Sequence, residues 1–144
     1  MKSRITASRY HDFSMGHRVF QHESKCAHLH GHNYRIHFDI EPDNALDSVG
    51  RVLDFSVIKT LLCEWLEENW DHKFLIFKDD PWAPILKQTD PEGTVVVDFN
   101  PTAENMGAHL VEVVGPKQLK DTDATLVSIR IEETRKCWVD VSVN

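Results

Sequence analysis

Cysteine is scarce: three occur in 144 residues. The number is odd and the spacing matches no disulfide framework. That excludes a stapled secreted scaffold and reads as free thiols in a reducing, cytoplasmic compartment. No apolar run is long enough to span a membrane. No apolar stretch follows Met1–Thr6, as a secretory leader would require. Positive charge is also short, with 16 Lys and Arg against 23 Asp and Glu and a net charge of −7. This argues against nucleic acid or an anionic membrane as partner, while a local basic pocket can still receive a small phosphorylated molecule. There is no Gly-rich dinucleotide fingerprint, internal repeat or low-complexity tract. The length fits one domain over residues 1–144, large enough for a real core.

What is present is histidine, nine in all. The densest stretch is Cys26-Ala-His28-Leu-His30-Gly-His32-Asn-Tyr34, with His17 upstream. Tyr34, Ile36, Phe38 and Ile40 alternate with Arg35, His37, Asp39 and Glu41, which reads as a half-buried strand. Carried backwards, the same parity puts His30 and His32 on one face, two residues apart. Two imidazoles side by side on a strand can share a metal ion. His17, just past a strand-like segment Ile5–Phe13, would complete a three-histidine zinc site with an open fourth position. The competing reading is an accidental cluster, because nine histidines make clusters common. Cys26 has two readings: a fourth, structural zinc ligand, or a thiol activated by neighbouring imidazoles or metal as nucleophile or base. Cys63, in a helical pattern, and Cys137, near a strand, read as packing residues.

The remaining chain reads as alternating small units. Residues 42–50 form a turn region. Ile58, Leu61, Leu62, Trp65 and Leu66 recur at helical spacing, with Asp54 or Ser56 as N-cap. Residues 78–93, with three prolines, read as a long excursion. Thr94–Phe99 predicts a short strand. Thr102 caps a second helix with Glu104 in its first turn. Its apolar face is Met106, Leu110, Val113 and Val114, and Gly115-Pro116 ends it. Two further strands are expected, Leu126–Glu132 and Trp138–Val143. The order is β-β-α-(short β)-α-β-β, an α+β fold with an antiparallel sheet and helices packed on one face. Two more elements carry potential chemistry. Asp71-His72 can orient a proton-transferring imidazole, or simply end a helix. Glu132-Glu133-Thr134 can anchor a guanidine-like edge through two parallel hydrogen bonds, or form a solvated strand end, the reading the residues alone favour.

The motifs Phe13-Ser-Met-Gly-His17-Arg, Cys26-x-x-Leu-His30-Gly-His32-Asn-Tyr, Val52-Leu-Asp54-Phe55-x-x-x-Lys59, Trp70-Asp71-His72, Asn100-Pro-Thr-Ala-Glu104-Asn and Glu133-Thr134 occur in this order. With them the chain closely resembles the 6-pyruvoyltetrahydropterin synthase family, over roughly Phe13 to Thr134. Residues 70–104 resemble its bacterial members of the queuosine pathway, the 6-carboxy-5,6,7,8-tetrahydropterin synthases. The resemblance implies a tunnelling fold in which sheets of neighbouring subunits join into a barrel, usually a hexamer of two trimers. It implies zinc held by His17, His30 and His32, a catalytic thiol at Cys26, Asp71 and His72 as its proton-transfer partners, and Glu133 as the carboxylate that holds the pterin. It places the site between subunits.

The reaction implied is zinc-dependent conversion of 7,8-dihydroneopterin triphosphate to 6-carboxytetrahydropterin, with loss of triphosphate and acetaldehyde. The alternatives are the pyruvoyl-forming reaction, without side-chain cleavage, and a non-catalytic pterin- or metal-binding protein. Ser14-Met15-Gly16 before His17 departs from the family's usual small residues. The 78–99 excursion is longer than in the shortest members. The tail after Thr134 does not align with them confidently.

Overall fold

The computed structural model describes residues 3–144; Met1 and Lys2, the first residues of the expected leaderless start, lie outside it. Four long strands form an antiparallel core: β1 (Ala7–His17), β2 (His30–Pro42), β5 (Ala124–Thr134) and β6 (Cys137–Ser142). Two short strands, β3 (Phe74–Phe77) and β4 (Thr94–Val97), extend the sheet beyond β1, giving the order β4-β3-β1-β2-β5-β6. Both run parallel to their neighbours, so the expected antiparallel sheet is mixed at this edge. β3 touches β1 only at Gly16 and His17.

The helices cover one face. α1 (Phe55–Ile58) begins at Asp54, whose carboxylate accepts the Ser56 N–H. It continues through a π-helical turn, Lys59–Cys63, into α2 (Glu64–Asn69). α4 (Ala103–His109) is capped by Thr102, which accepts from Asn105 N–H. A second π turn, Leu110–Val114, joins α4 to α5 (Gly115–Gln118). The rod therefore runs on through Gly115-Pro116, where the sequence predicted its end. In the wider turn the Gly115 N–H bonds Leu110 O, one residue further back than in an α-helix. Pro116 follows at the start of the next α-helical turn, where a missing N–H costs little. The same turn rotates Val113 into solvent and buries Val111 instead. The excursion holds a helix of its own, α3 (Ala83–Thr89), with Pro84 in its first turn.

Between layers, Phe13, Met15, Tyr34, Ile36, Phe38, Ile40, Ile129 and Ile131 meet Ile58, Leu62, Leu66, Met106 and Leu110, all 5% exposed or less. The opposite face of the sheet is polar, with Arg35 on Asp12 at 2.7 Å, His37 on Glu132 at 2.6 Å and Arg130 on Asp140 at 2.8 Å. Cys63 is buried as expected, but Cys137 opens β6 exposed and packs in no core. Among the described residues no helix is long and apolar enough to cross a membrane.

Candidate metal centre

His17 ends β1 and His30 begins β2, and the two lie directly opposite each other in the ladder. His32 follows two residues along, opposite Met15. Strand parity thus aims all three rings at the helix-covered face. Ring centroids are 4.5 Å apart for His17 and His30, 5.2 Å for His17 and His32, and 5.0 Å for His30 and His32. One ligand nitrogen from each lies within 4.8 Å of the others.

Hydrogen bonds at Nδ1 orient two of the rings. His17 Nδ1 donates to the Pro101 carbonyl at 2.7 Å and His30 Nδ1 to the His28 carbonyl at 2.8 Å. A ring that gives its Nδ1 proton to a carbonyl presents a bare lone pair at Nε2. The Nε2 atoms of His30 and His32 are buried with no hydrogen-bond partner. Such groups are costly in a core unless something binds them. Burial pushes the His17 imidazole down to about 4; the bond to Pro101 opposes this, and His30 and His32 add to it. Burial also lowers His32, against the nearby Glu133 carboxylate. The group is a set of three imidazole nitrogens close enough to share one ion, and it fits a borderline metal such as zinc.

Around it stand three further groups. The buried Tyr34 hydroxyl is 3.4 Å from His17 Nε2. Burial raises its phenol, and the Glu133 and Cys26 charges raise it further, so both side chains lie within electrostatic reach of the ring. Glu133 sits 3.7 Å from His32 Nε2. Glu132 faces the other way, bonded to His37 and paired with Arg135 at 3.3 Å. Cys26 occupies a short 3₁₀ turn, Lys25–Ala27, half-buried, its carbonyl accepting from Val19 N–H at 2.8 Å.

Asp71 and His72 follow α2 and sit against the edge of β1 at Ser14. His72 Nδ1 lies 2.9 Å from Asp71 Oδ2, and Asp71 Oδ1 accepts the Ser14 N–H at 3.0 Å. The His72 backbone is left-handed, φ 58°, and its N–H bonds Ser14 O at 2.7 Å. Its side chain is 81% exposed. Among the described residues no hydrogen bond or ion pair joins it to Cys26. An open cleft beside it, shared with His32, is lined by Ser14, Gly16, Gly31, Asn33 and Lys73.

The sequence reading did not identify Tyr34 or the Pro101 and His28 carbonyls as parts of this site. Tyr34 was visible as the next inward position after His30 and His32. Nothing in a linear sequence announces a carbonyl 84 residues away.

The family model for 6-pyruvoyl tetrahydropterin synthase matches residues 6–144. A 6-carboxy-5,6,7,8-tetrahydropterin synthase of Rickettsia typhi is 36% identical over 140 residues, 95% of this chain and 99% of its own. An uncharacterized protein of Wolinella succinogenes superposes with a TM-score of 0.86 over 99% of this chain and 100% of its own, at 24% identity. The 6-pyruvoyl tetrahydropterin synthase of Caenorhabditis elegans does so with a TM-score of 0.64 over 99% and 97%, at 22% identity. At those identities the two structures speak for the fold alone, the tunnelling α+β fold. Family model and sequence relative agree along nearly the whole length, so the chain belongs to the 6-pyruvoyl tetrahydropterin synthase family and is a lyase-type enzyme of it.

Proposed function

We propose that this enzyme converts 7,8-dihydroneopterin triphosphate and one water to 6-carboxy-5,6,7,8-tetrahydropterin, acetaldehyde and triphosphate, as a cytoplasmic step toward queuosine. The observation that carries the reading is the convergence of His17, His30 and His32, the last two with buried, unpartnered Nε2 atoms, in a chain 36% identical to a relative of that name. These three imidazoles would hold zinc, which supplies Lewis-acid acidification of the C–H and O–H bonds of a bound side chain.

The chain's own groups do the rest. Glu133 accepts two parallel hydrogen bonds from a pterin's ring N–H and amino group, fixing the ring beside the histidines. Cys26 takes and returns protons as thiolate and thiol. His72, oriented by Asp71, exchanges protons with it. Because His72 lies exposed on the β1 edge, its cysteine partner belongs to a neighbouring subunit.

Strand edges support that assembly. β1 meets β3 only at Gly16 and His17, and Asp71 and His72 hold Ser14, so residues 7–13 present an open edge, and β6 is the edge strand on the other side of the sheet. Open edges of this length invite pairing, and a closed barrel removes them. The assembly is a homo-hexamer, a dimer of trimers, each copy one pterin-synthase domain over 1–144.

The test is to incubate the pure, zinc-loaded protein with 7,8-dihydroneopterin triphosphate. Mass spectrometry should find 6-carboxytetrahydropterin, and acetaldehyde should be trapped as its hydrazone. A 6-pyruvoyl product without acetaldehyde would establish the pyruvoyl reaction instead. Unchanged substrate would overturn both.

A further inference from the structure

Arg18 follows His17 at the end of β1, and the excursion encloses its side chain. The side chain is 11% exposed, with Cζ 3.3 Å from the centroid of the Trp82 ring and Nε 3.3 Å from Asp80 Oδ2. The Asp80 side chain is fully buried. Asp80 is fixed from its own side: its N–H donates to Phe77 O at 3.0 Å, Oδ1 accepts the Trp82 N–H at 2.9 Å, and its carbonyl accepts the Ala83 N–H at 2.9 Å where α3 begins. One turn between β3 and α3 thus offers a carboxylate and an indole face to the residue that follows a metal-site histidine.

Stability does not explain the pair. Arg18 Nε and Nη1 and Asp80 Oδ2 are buried without a hydrogen bond, and in a buried ion pair desolvation offsets most of the attraction. What the pair does is fix the chain after His17. Residues 18–20 are the outgoing limb of the loop that joins β1 to β2. The Phe20 ring meets the Phe77 ring at 6.3 Å, and the Phe20 backbone is bonded both ways to the Asn100 side chain. The returning limb carries Cys26. It is tied to the outgoing limb by Val19 N–H, which donates to Cys26 O at 2.8 Å. The outgoing limb is therefore anchored to the excursion, and the thiol sits on the limb that hangs from it. A shift of Arg18 reaches Cys26 through a single intervening residue. We propose that Arg18 is a positioning residue for the Cys26 thiol, acting with Asp80 and Trp82, so that the excursion buttresses the site. The inference rests on the reading of Cys26 as a proton-transfer group.

The chemistry of the contact selects the variants. A planar guanidinium lies flat on an indole, whereas a lysine ammonium keeps a charge for Asp80 but loses the plane. Deleting Arg18 or Asp80 outright strands a buried charge and so tests folding instead of position. Trp82 is 39% exposed and can be trimmed without opening the core. W82A removes the stack from one side, R18K from the other, and W82F restores an aromatic face.

The test uses zinc-loaded protein carrying C63A and C137A, which leave Cys26 as the one thiol. Alkylation of Cys26 by iodoacetamide is followed to its limiting rate at high pH, where the thiol is fully ionised and the rate reports access. Beside it stand kcat and KM on the pterin triphosphate, zinc content, and Tm. W82A and R18K should alkylate several-fold faster than the parent. Their kcat should fall by up to about 100-fold, the scale on which a displaced catalytic group lowers turnover. KM should hold, because Glu133 lies elsewhere, and zinc should stay bound, because Pro101 holds His17. W82F should recover most of both rates. A support of the fold alone would lower Tm and leave alkylation and kcat where they were. That result, loss of zinc from W82A, or a W82F no better than W82A overturns the proposal. Full turnover by C26A would overturn the proton-transfer reading instead, and the alkylation rates report the position of the thiol independently of it.

Discussion

Asn100 offers the most direct test of how the protein orients its histidines. Its side chain clamps the backbone of Phe20, Oδ1 accepting the Phe20 N–H at 2.8 Å and Nδ2 donating to the Phe20 carbonyl at 2.9 Å. Partners of opposite kind on one residue fix which end of the amide is which. The next residue, buried Pro101, supplies the carbonyl that holds His17 Nδ1. Asn100→Ala removes two part-buried hydrogen bonds, each worth about 0.5–1.5 kcal/mol net, so roughly 1–3 kcal/mol in all. For a chain of this size that lowers Tm by roughly 2–4 °C per kcal/mol. The distinctive effect is on the metal. Losing the group that orients a ligand histidine typically costs 10–100-fold in affinity, about 1.4–2.7 kcal/mol. Chelated protein titrated with zinc against a competing dye should show that loss in Asn100→Ala. Leu119→Ala serves as control: it opens a cavity far from the site, costs about 2–5 kcal/mol, and should leave affinity unchanged. If Asn100→Ala melts early yet binds zinc like wild type, the Pro101 carbonyl does not depend on the clamp and the reasoning fails.

Other predictions follow from the same geometry. Metal-free protein should lose stability as pH falls from 6.5 towards 4, because the unfolded His17 takes a proton there and the buried one does not. The drop is about 3 kcal/mol, complete near the folded value and absent above the unfolded one, and denaturant melts of His17→Leu should lack it. Cys26→Ala should keep its metal and fold but lose most turnover, whereas Cys63→Ala and Cys137→Ala stay active; metal loss in Cys26→Ala would make the thiol a ligand. Glu133→Gln should weaken substrate binding by roughly 1.5–3 kcal/mol, read from KM, while Glu132→Gln, on the opposite face, leaves KM unchanged; the reverse result would mean that the other glutamate holds the pterin.

Periodicity made the long elements legible. Tyr34 to Ile40 alternates cleanly, and the strand it predicts is the central β2. The predicted ends fell short. Val19–Cys26 and Asn100–Phe20 bonds hold the chain around the histidines, so β1 extends to His17 and β2 starts at His30. β3 went unread because Phe74-Leu-Ile-Phe is a short apolar run without alternation, packed within the sheet. In the excursion the prolines looked like breakers, but Pro84 stands in the first turn of α3, where a proline is tolerated. Gly115-Pro116 misled for a related reason: a π turn shifts hydrogen bonding by one residue, and pattern counting at 3.6 residues per turn does not see it.

The site was more legible than its supports, and topology explains why. β1, β2 and β5 are neighbours and antiparallel, so the end of β1, the start of β2 and the end of β5 meet at one rim of the sheet. Along each strand the inward positions pass from apolar to polar as they reach that rim: Phe13 and Met15 to His17, Tyr34 to His32 and His30, Ile129 and Ile131 to Glu133. Parity alone therefore gathers three imidazoles and one carboxylate where the aliphatic core gives out. It also separates Glu133 from Glu132, which points to His37 on the other face. What parity cannot give is the partner of each polar atom. His17 depends on Pro101, Asp71 on Ser14 and Glu67 on His11, bonds that span 84, 57 and 56 residues. Each joins the sheet to a helix or a helix boundary, so the alignment of these polar groups is set where the two layers pack, and a change in that packing reaches the chemistry before it unfolds the sheet.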